Sequence, residues 1–178
     1  MSGHALLCAA PADGRGLAAA YPELATGTLG YLAGDWDVVR EIADHRSGNA
    51  GSFRGRASFQ PRPETAAAES DDLDGRVLEL TEHGELRFGA HRGSAGRSLL
   101  YYGCSDGSAD VRFADGREFY RLDLRTGSCR ALHPCRADRY AVTVTWLSAD
   151  SFTEVWQVTG PDKDYDLTSV YTRTGSAS

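Results

Sequence analysis

The chain has 178 residues, of which 41% are hydrophobic and 25% charged. That composition fits one ordinary globular domain and excludes collagen-like, coiled-coil and wholly disordered architectures. Its 18 Arg and single Lys face 25 acids for a net charge of −6, so nucleic acid, which needs a basic face, is not an expected partner. No apolar run approaches the ~20 residues that span a bilayer. Residues 1–11 also lack the basic start of a secretion signal. No membrane partner is expected, and the cytoplasm is the expected compartment.

Residues 1–27 are rich in Ala and Gly, and 17–21 predict a short helical turn before Pro22. They read as an N-terminal tail and cap, ahead of a single β-domain over 28–178. Residues 34–42 alternate Trp36, Val38 and Ile42 against Asp35, Asp37 and Glu41, with Arg40 on the apolar face. Next, Phe53, Gly55, Ala57 and Phe59 point inward while Arg54, Arg56 and Ser58 point outward, up to Pro61 and Pro63. The Ala- and acid-rich stretch 65–74 reads as a solvated loop and a candidate lid. Residues 77–82 and 85–88 flank His83-Gly84, a two-residue hairpin signal. Residues 97–104, 109–113 and 117–124 continue the meander, with Ala114-Asp115-Gly116 as a turn. The stretch up to His133 reads as a loop, and 139–146, 152–160 and 165–173 complete ten strands. Ten short antiparallel strands must close or stack to remove their edges. The prediction is therefore all-β: a closed antiparallel up-and-down barrel of about ten strands with a short N-terminal helical cap.

Cys8, Cys104, Cys129 and Cys135 form neither a disulfide framework nor a Cys-x-x-Cys pair, so free thiols are expected. His133-Pro134-Cys135 has no second cluster to complete a zinc site, and no metal is expected. There is no Gly-x-Ser-x-Gly, phosphate loop or dinucleotide fingerprint, so no cofactor is expected either.

Gly34-Asp35-Trp36 and the late Arg173 resemble the calycin pattern, in which a Trp and an Arg pack together at the closed end of the barrel. Further segments are Phe113-Ala114-Asp115-Gly116-Arg117-Glu118-Phe119, His133-Pro134-Cys135 with Asp138-Arg139-Tyr140, and Trp156 to Tyr165 with Tyr171-Thr172-Arg173. With these the chain resembles an uncharacterised bacterial and fungal calycin-like family over residues 31–173. That family places a His after the Phe matching Phe119, where this chain has Tyr120. The resemblance implies a lipocalin-like or fatty-acid-binding-protein-like barrel, and it supplies neither a substrate nor a reaction.

Projecting each strand by parity lines the interior with Arg40, Glu82, Tyr102, Tyr120, Asp138, Tyr140, Trp156 and Tyr171, as candidate ligand-binding residues. Trp36 and Arg173 are read as the structural closure. A ten-stranded barrel is wider than its side chains fill, and inward charges are costly unless they pair or meet a ligand. The expected function is small-molecule binding. A cofactor-free cyclase or isomerase would use the same cavity, with Glu82, Tyr120 and Asp138 as candidate catalytic residues. A haem-binding barrel needs an inward His, for which His133 is the candidate. Lys163, between two Asp, reads as a salt-bridging residue rather than a Schiff base.

Overall fold

The computed structural model describes residues 26–62 and 73–175. The helical turn expected at 17–21 and nearly all of the 65–74 loop lie outside the described residues. A six-residue helix, α1 (Gly27–Leu32), is followed by ten strands. They are β1 (Gly34–Asp44), β2 (Ala50–Pro61), β3 (Leu73–Phe88), β4 (His91–Cys104), β5 (Ala109–Phe113), β6 (Glu118–Leu122), β7 (Ser128–Cys135), β8 (Asp138–Ser148), β9 (Ser151–Thr159) and β10 (Asp164–Arg173). Every ladder is antiparallel. The strand order is β6-β5-β4-β3-β2-β1-β10-β9-β8-β7. Consecutive strands pair except β6 and β7, β1 also takes β10, and β6 and β7 face each other as the edges of a nearly closed barrel. The predicted ten-stranded up-and-down architecture is what the chain adopts.

Alternation makes these segments strands. In β1, Trp36, Val38 and Arg40 are buried while Asp35, Asp37, Val39 and Glu41 are exposed. The buried set continues around the barrel as one core that includes Phe53, Phe59, Leu80, Tyr101, Tyr120, Val142, Phe152, Trp156 and Tyr171.

Helix α1 covers one end. Its Thr28 N–H donates to the Gly107 carbonyl at 2.9 Å, and its Thr28 hydroxyl accepts from the Leu124 N–H at 3.2 Å. The Trp36 indole donates to the Leu32 carbonyl at 2.8 Å. Arg173 lies 4.2 Å from the Trp36 ring and donates to the carbonyls of Ala33 and Tyr31 at 2.9 and 2.8 Å. Trp36 is 0% exposed. The opposite, upper end carries the hairpin turns after β1, β3, β5, β7 and β9.

Two expectations are corrected. His83-Gly84 is not a turn, because both residues lie inside the 16-residue strand β3. Gly84 pairs with Gly55 of β2, and the Phe53 ring lies over the pair, 2.7 Å from where a Cβ at either glycine would sit. The hairpin comes one turn later, where Phe88 pairs His91 and Gly89 takes a φ of 56°, a conformation that costs glycine little. Second, the stretch before His133 is a strand, β7, and not a loop. Its inward positions, Cys129, Ala131 and His133, carry little of the apolar bulk that marks a strand. Pro134 is tolerated because β7 is an edge, where one side of the backbone has no ladder to supply. The two errors offset, one strand split and one missed, so the count of ten stood.

Candidate functional site

A polar layer crosses the middle of the barrel. Arg40 (β1) holds Glu82 (β3) with two parallel hydrogen bonds, Nη1 to Oε1 at 2.8 Å and Nη2 to Oε2 at 3.0 Å, and its Nε donates to the Ser169 hydroxyl at 2.7 Å. From β10, the Tyr171 hydroxyl donates to Glu82 Oε2 at 3.0 Å and accepts from Arg40 Nη2 at 3.2 Å. From β4, Arg97 Nη2 lies 2.8 Å from both Glu154 Oε1 and the Tyr171 hydroxyl, and 3.4 Å from Glu82 Oε2. Two guanidinium groups and two carboxylates thus share one layer, and strand parity alone brings them there from four strands.

The ionisation of this layer follows from its contacts. Burial pushes the Glu82 carboxyl up, but Arg97, then Arg40 and Tyr171, outweigh burial and hold it below the usual carboxylate range. Burial raises the phenols of Tyr101, Tyr120 and Tyr171, so each stays protonated as a hydrogen-bond donor.

Arg97 differs from its partners. The side chains of Glu82 and Glu154 are 2% and 5% exposed, whereas 27% of the Arg97 side chain stays accessible. Burial works against its charge, but Glu154, Tyr171 and Glu82 outweigh burial and hold the guanidinium well above its ordinary range. By strand parity Arg97 faces inward with Leu99 and Tyr101. Among the described residues its Nη1 has no partner, and its Nε is buried without one. The inward positions before Arg97 on β4 are small, Ala95 and Gly93.

Above this layer the inward side chains are half-buried, with Leu86, Ala95, Phe113, Phe119, Tyr140 and Leu167 packed on the core while still partly accessible. Phe119 is the extra residue of a β-bulge, since the register shifts between Val111↔Tyr120 and Arg112↔Glu118. Bulges re-aim side chains. This one sends Phe119 across the gap between β6 and β7 to stack on Trp156, with ring centroids 5.0 Å apart and planes at 8°, and to meet His133 edge-on at 5.0 Å. At the rim, Lys163 donates to Asp138 at 2.6 Å and to the Tyr140 hydroxyl at 2.7 Å. Both contacts raise the ammonium pKa, Asp138 the more, so the lysine is a held cation rather than a nucleophile.

The structure therefore splits the residues singled out from sequence. Arg40, Glu82 and Tyr171 meet in the polar layer. Tyr120 and Trp156 pack beside it, with ring centroids 5.5 Å apart. Asp138 and Tyr140 lie apart from these at the rim. Tyr102 is corrected: it is on the outer face, with the Arg112 guanidinium 4.7 Å from its ring. Its neighbour Tyr101 is the buried core residue. Arg97 and Glu154 were missed, although they share parity with Leu99 and Tyr101 on β4 and with Phe152 and Trp156 on β9.

A concavity of about 470 Å³ lies on the outer face of β7 to β10 and is lined by His45, Arg130, Arg139, Gln157, Asp164 and Asp166, among others. It is open to solvent, and His45 is paired with Asp166 at 3.1 Å. Among the described residues, no group of three or more His, Cys, Asp and Glu side chains converges on a metal position. No described helix is long and apolar enough to cross a membrane. Cys104, Cys129 and Cys135 are free thiols.

A family model described as a family of unknown function (DUF6314) matches residues 32–173. The chain belongs to that family. No curated protein matches it. Among solved structures, this family member is similar to the S-type phycobiliprotein lyase CPES from Guillardia theta, with 10% identity and a TM-score of 0.61 over 87% of this chain and 98% of that one. A redesigned β-barrel, mFAP1, bound to DFHBI, matches at 16% identity and a TM-score of 0.40 over 82% of this chain and 97% of that one. At such identities the lyase likeness speaks for the barrel fold alone.

Proposed function

We propose that this family member is a calycin-like barrel that binds a small molecule in the upper half of its lumen. The observation that carries the reading is Arg97, a charged donor with free Nη1 protons and accessible surface inside a barrel. A guanidinium in that setting is completed by the polar end of a ligand. Arg40, Glu82 and Tyr171 hold the floor in place, Tyr120 and Trp156 wall one side, and Asp138 and Tyr140 stand at the entrance. Leu86, Ala95, Phe113 and Leu167 supply the apolar contact.

A cyclase or isomerase would need one of the inward carboxylates as a base. Glu82, held ionised by two guanidinium groups, is a weak base, and the buried tyrosines are donors. Binding is therefore the better-supported activity. Native mass spectrometry of the protein from its own host tests this. Wild type is expected to carry a small-molecule mass, and Ala95→Trp, folded by circular dichroism, to lose it by filling the lumen. A mass retained unchanged in Ala95→Trp moves the site out of the lumen, to the outer groove.

A further inference from the structure

Resting on that reading, we infer that the ligand is an uncharged, planar aromatic molecule anchored through a carbonyl-type acceptor, and not a carboxylate, sulfonate or phosphate. The first argument is charge. Arg40 and Arg97 balance Glu82 and Glu154, and Arg97 already stands 2.8 Å from Glu154 and 3.4 Å from Glu82. An anionic ligand adds a third negative charge to this interior with no cation left to neutralise it, and an unpaired buried charge is costly. The rim does not change this, because Lys163 is held by Asp138. The protein's net charge of −6 adds a further, weaker bias against anions.

The second argument is hydrogen-bond balance. Arg97 Nε and Trp156 Nε1 are buried without partners, and among the described residues Arg97 Nη1 has none either. Guanidinium and indole N–H groups donate and never accept. A ligand that relieves them brings lone pairs, and one that brings only donors leaves them stranded. A cationic ligand also meets two guanidinium groups.

The third argument is shape. The upper lumen is walled by rings: Phe119 stacked on Trp156, Phe113 4.4 Å from Phe119, and His133 and Tyr140 beyond them. Flat faces of this kind gain most from a flat partner, through offset-stacked and edge-on contacts.

Three naphthyl probes of similar size separate the terms: prodan, an uncharged ketone; naphthoate, a carboxylate; and ethylnaphthalene, which has no polar end. Prodan is expected to bind about tenfold or more tighter than either of the others, the weight of one charge-assisted hydrogen bond. Once bound, its emission should show a shift to the red of prodan in a non-hydrogen-bonding solvent, as the carbonyl accepts that bond. The shift should vanish in Arg97→Met combined with Glu154→Gln, which keeps the layer neutral, and in Arg97→Lys should the double variant not fold. Naphthoate binding as tightly as prodan overturns the uncharged class, and ethylnaphthalene doing so overturns the acceptor anchor; in both cases binding in the lumen stands. If no probe saturates, or if all bind unchanged to Ala95→Trp, the lumen reading itself fails.

Discussion

Glu82 accepts from Arg40, Arg97 and Tyr171 in the polar layer, and its worth can be read in two ways. Glu82→Gln leaves the buried Arg40 guanidinium half-paired. Breaking one side of a buried ion pair costs ~3–5 kcal/mol, so urea unfolding should show a loss of that order. Arg40→Met with Glu82→Met together should recover most of it, because two apolar side chains leave no charge behind. Acid supplies the second reading. The folded carboxyl lies below its ordinary range while the unfolded one does not. Its contribution is therefore full above the unfolded value, roughly pH 4.3, and is lost as the pH falls through the lower folded value. Wild type should lose stability below about pH 4 more steeply than Glu82→Gln, as measured by urea midpoints at a series of pH values.

The same elements show what can be read from an unaligned chain. Strands β1, β8, β9 and β10 were legible because large side chains alternate with polar ones, as in Tyr140, Val142, Val144 and Trp146. The boundary of β3 was not. A glycine at a turn and a glycine in a strand look alike in sequence, and only the structure shows that Gly84 faces Gly55 under the Phe53 ring while Gly89 turns the chain. Tyr101 and Tyr102 are adjacent, and a slip of one residue exchanges the two faces of a strand. Taking Tyr102 as inward removed Arg97 from view. Glu154 sat in plain alternation with Phe152 and Trp156, but a carboxylate is ordinarily taken for the wet side. The Arg136–Ala137 turn between β7 and β8 offers a test of local strain. Arg136 has a φ of 59°, a left-handed conformation that costs a side-chain-bearing residue ~1–2 kcal/mol. Arg136→Gly should therefore stabilise the protein by up to about 1 kcal/mol, since glycine's extra unfolded-state freedom offsets part of the relief. A higher urea midpoint at unchanged slope would show it.

Across the whole molecule, closure is uneven. At β1 and β10 the barrel is sealed by a nine-pair ladder from Trp36↔Arg173 to Asp44↔Tyr165. Between β6 and β7 it is held by side chains, chiefly the Phe119 ring on Trp156, with the Cys129 thiol 3.8 Å from the Arg121 carbonyl. Amide exchange should accordingly be fastest, among the strands, in β6 and β7 and slowest in β1 and β10. Phe119→Ala should widen that contrast by speeding exchange in β6 and β7 alone. The β1–β10 ladder has one more consequence, for the time at which the molecule comes into being. Trp36 is among the first strand residues to be synthesised, and its partner Arg173 is the last residue of the last strand. A growing chain can form hairpin after hairpin as it leaves the ribosome, but β1 keeps one bare edge until β10 emerges. Loop closure between such distant segments is slow, so the barrel is sealed only after its last strand has been made. Until then the nascent chain carries an open strand edge that invites the wrong partner.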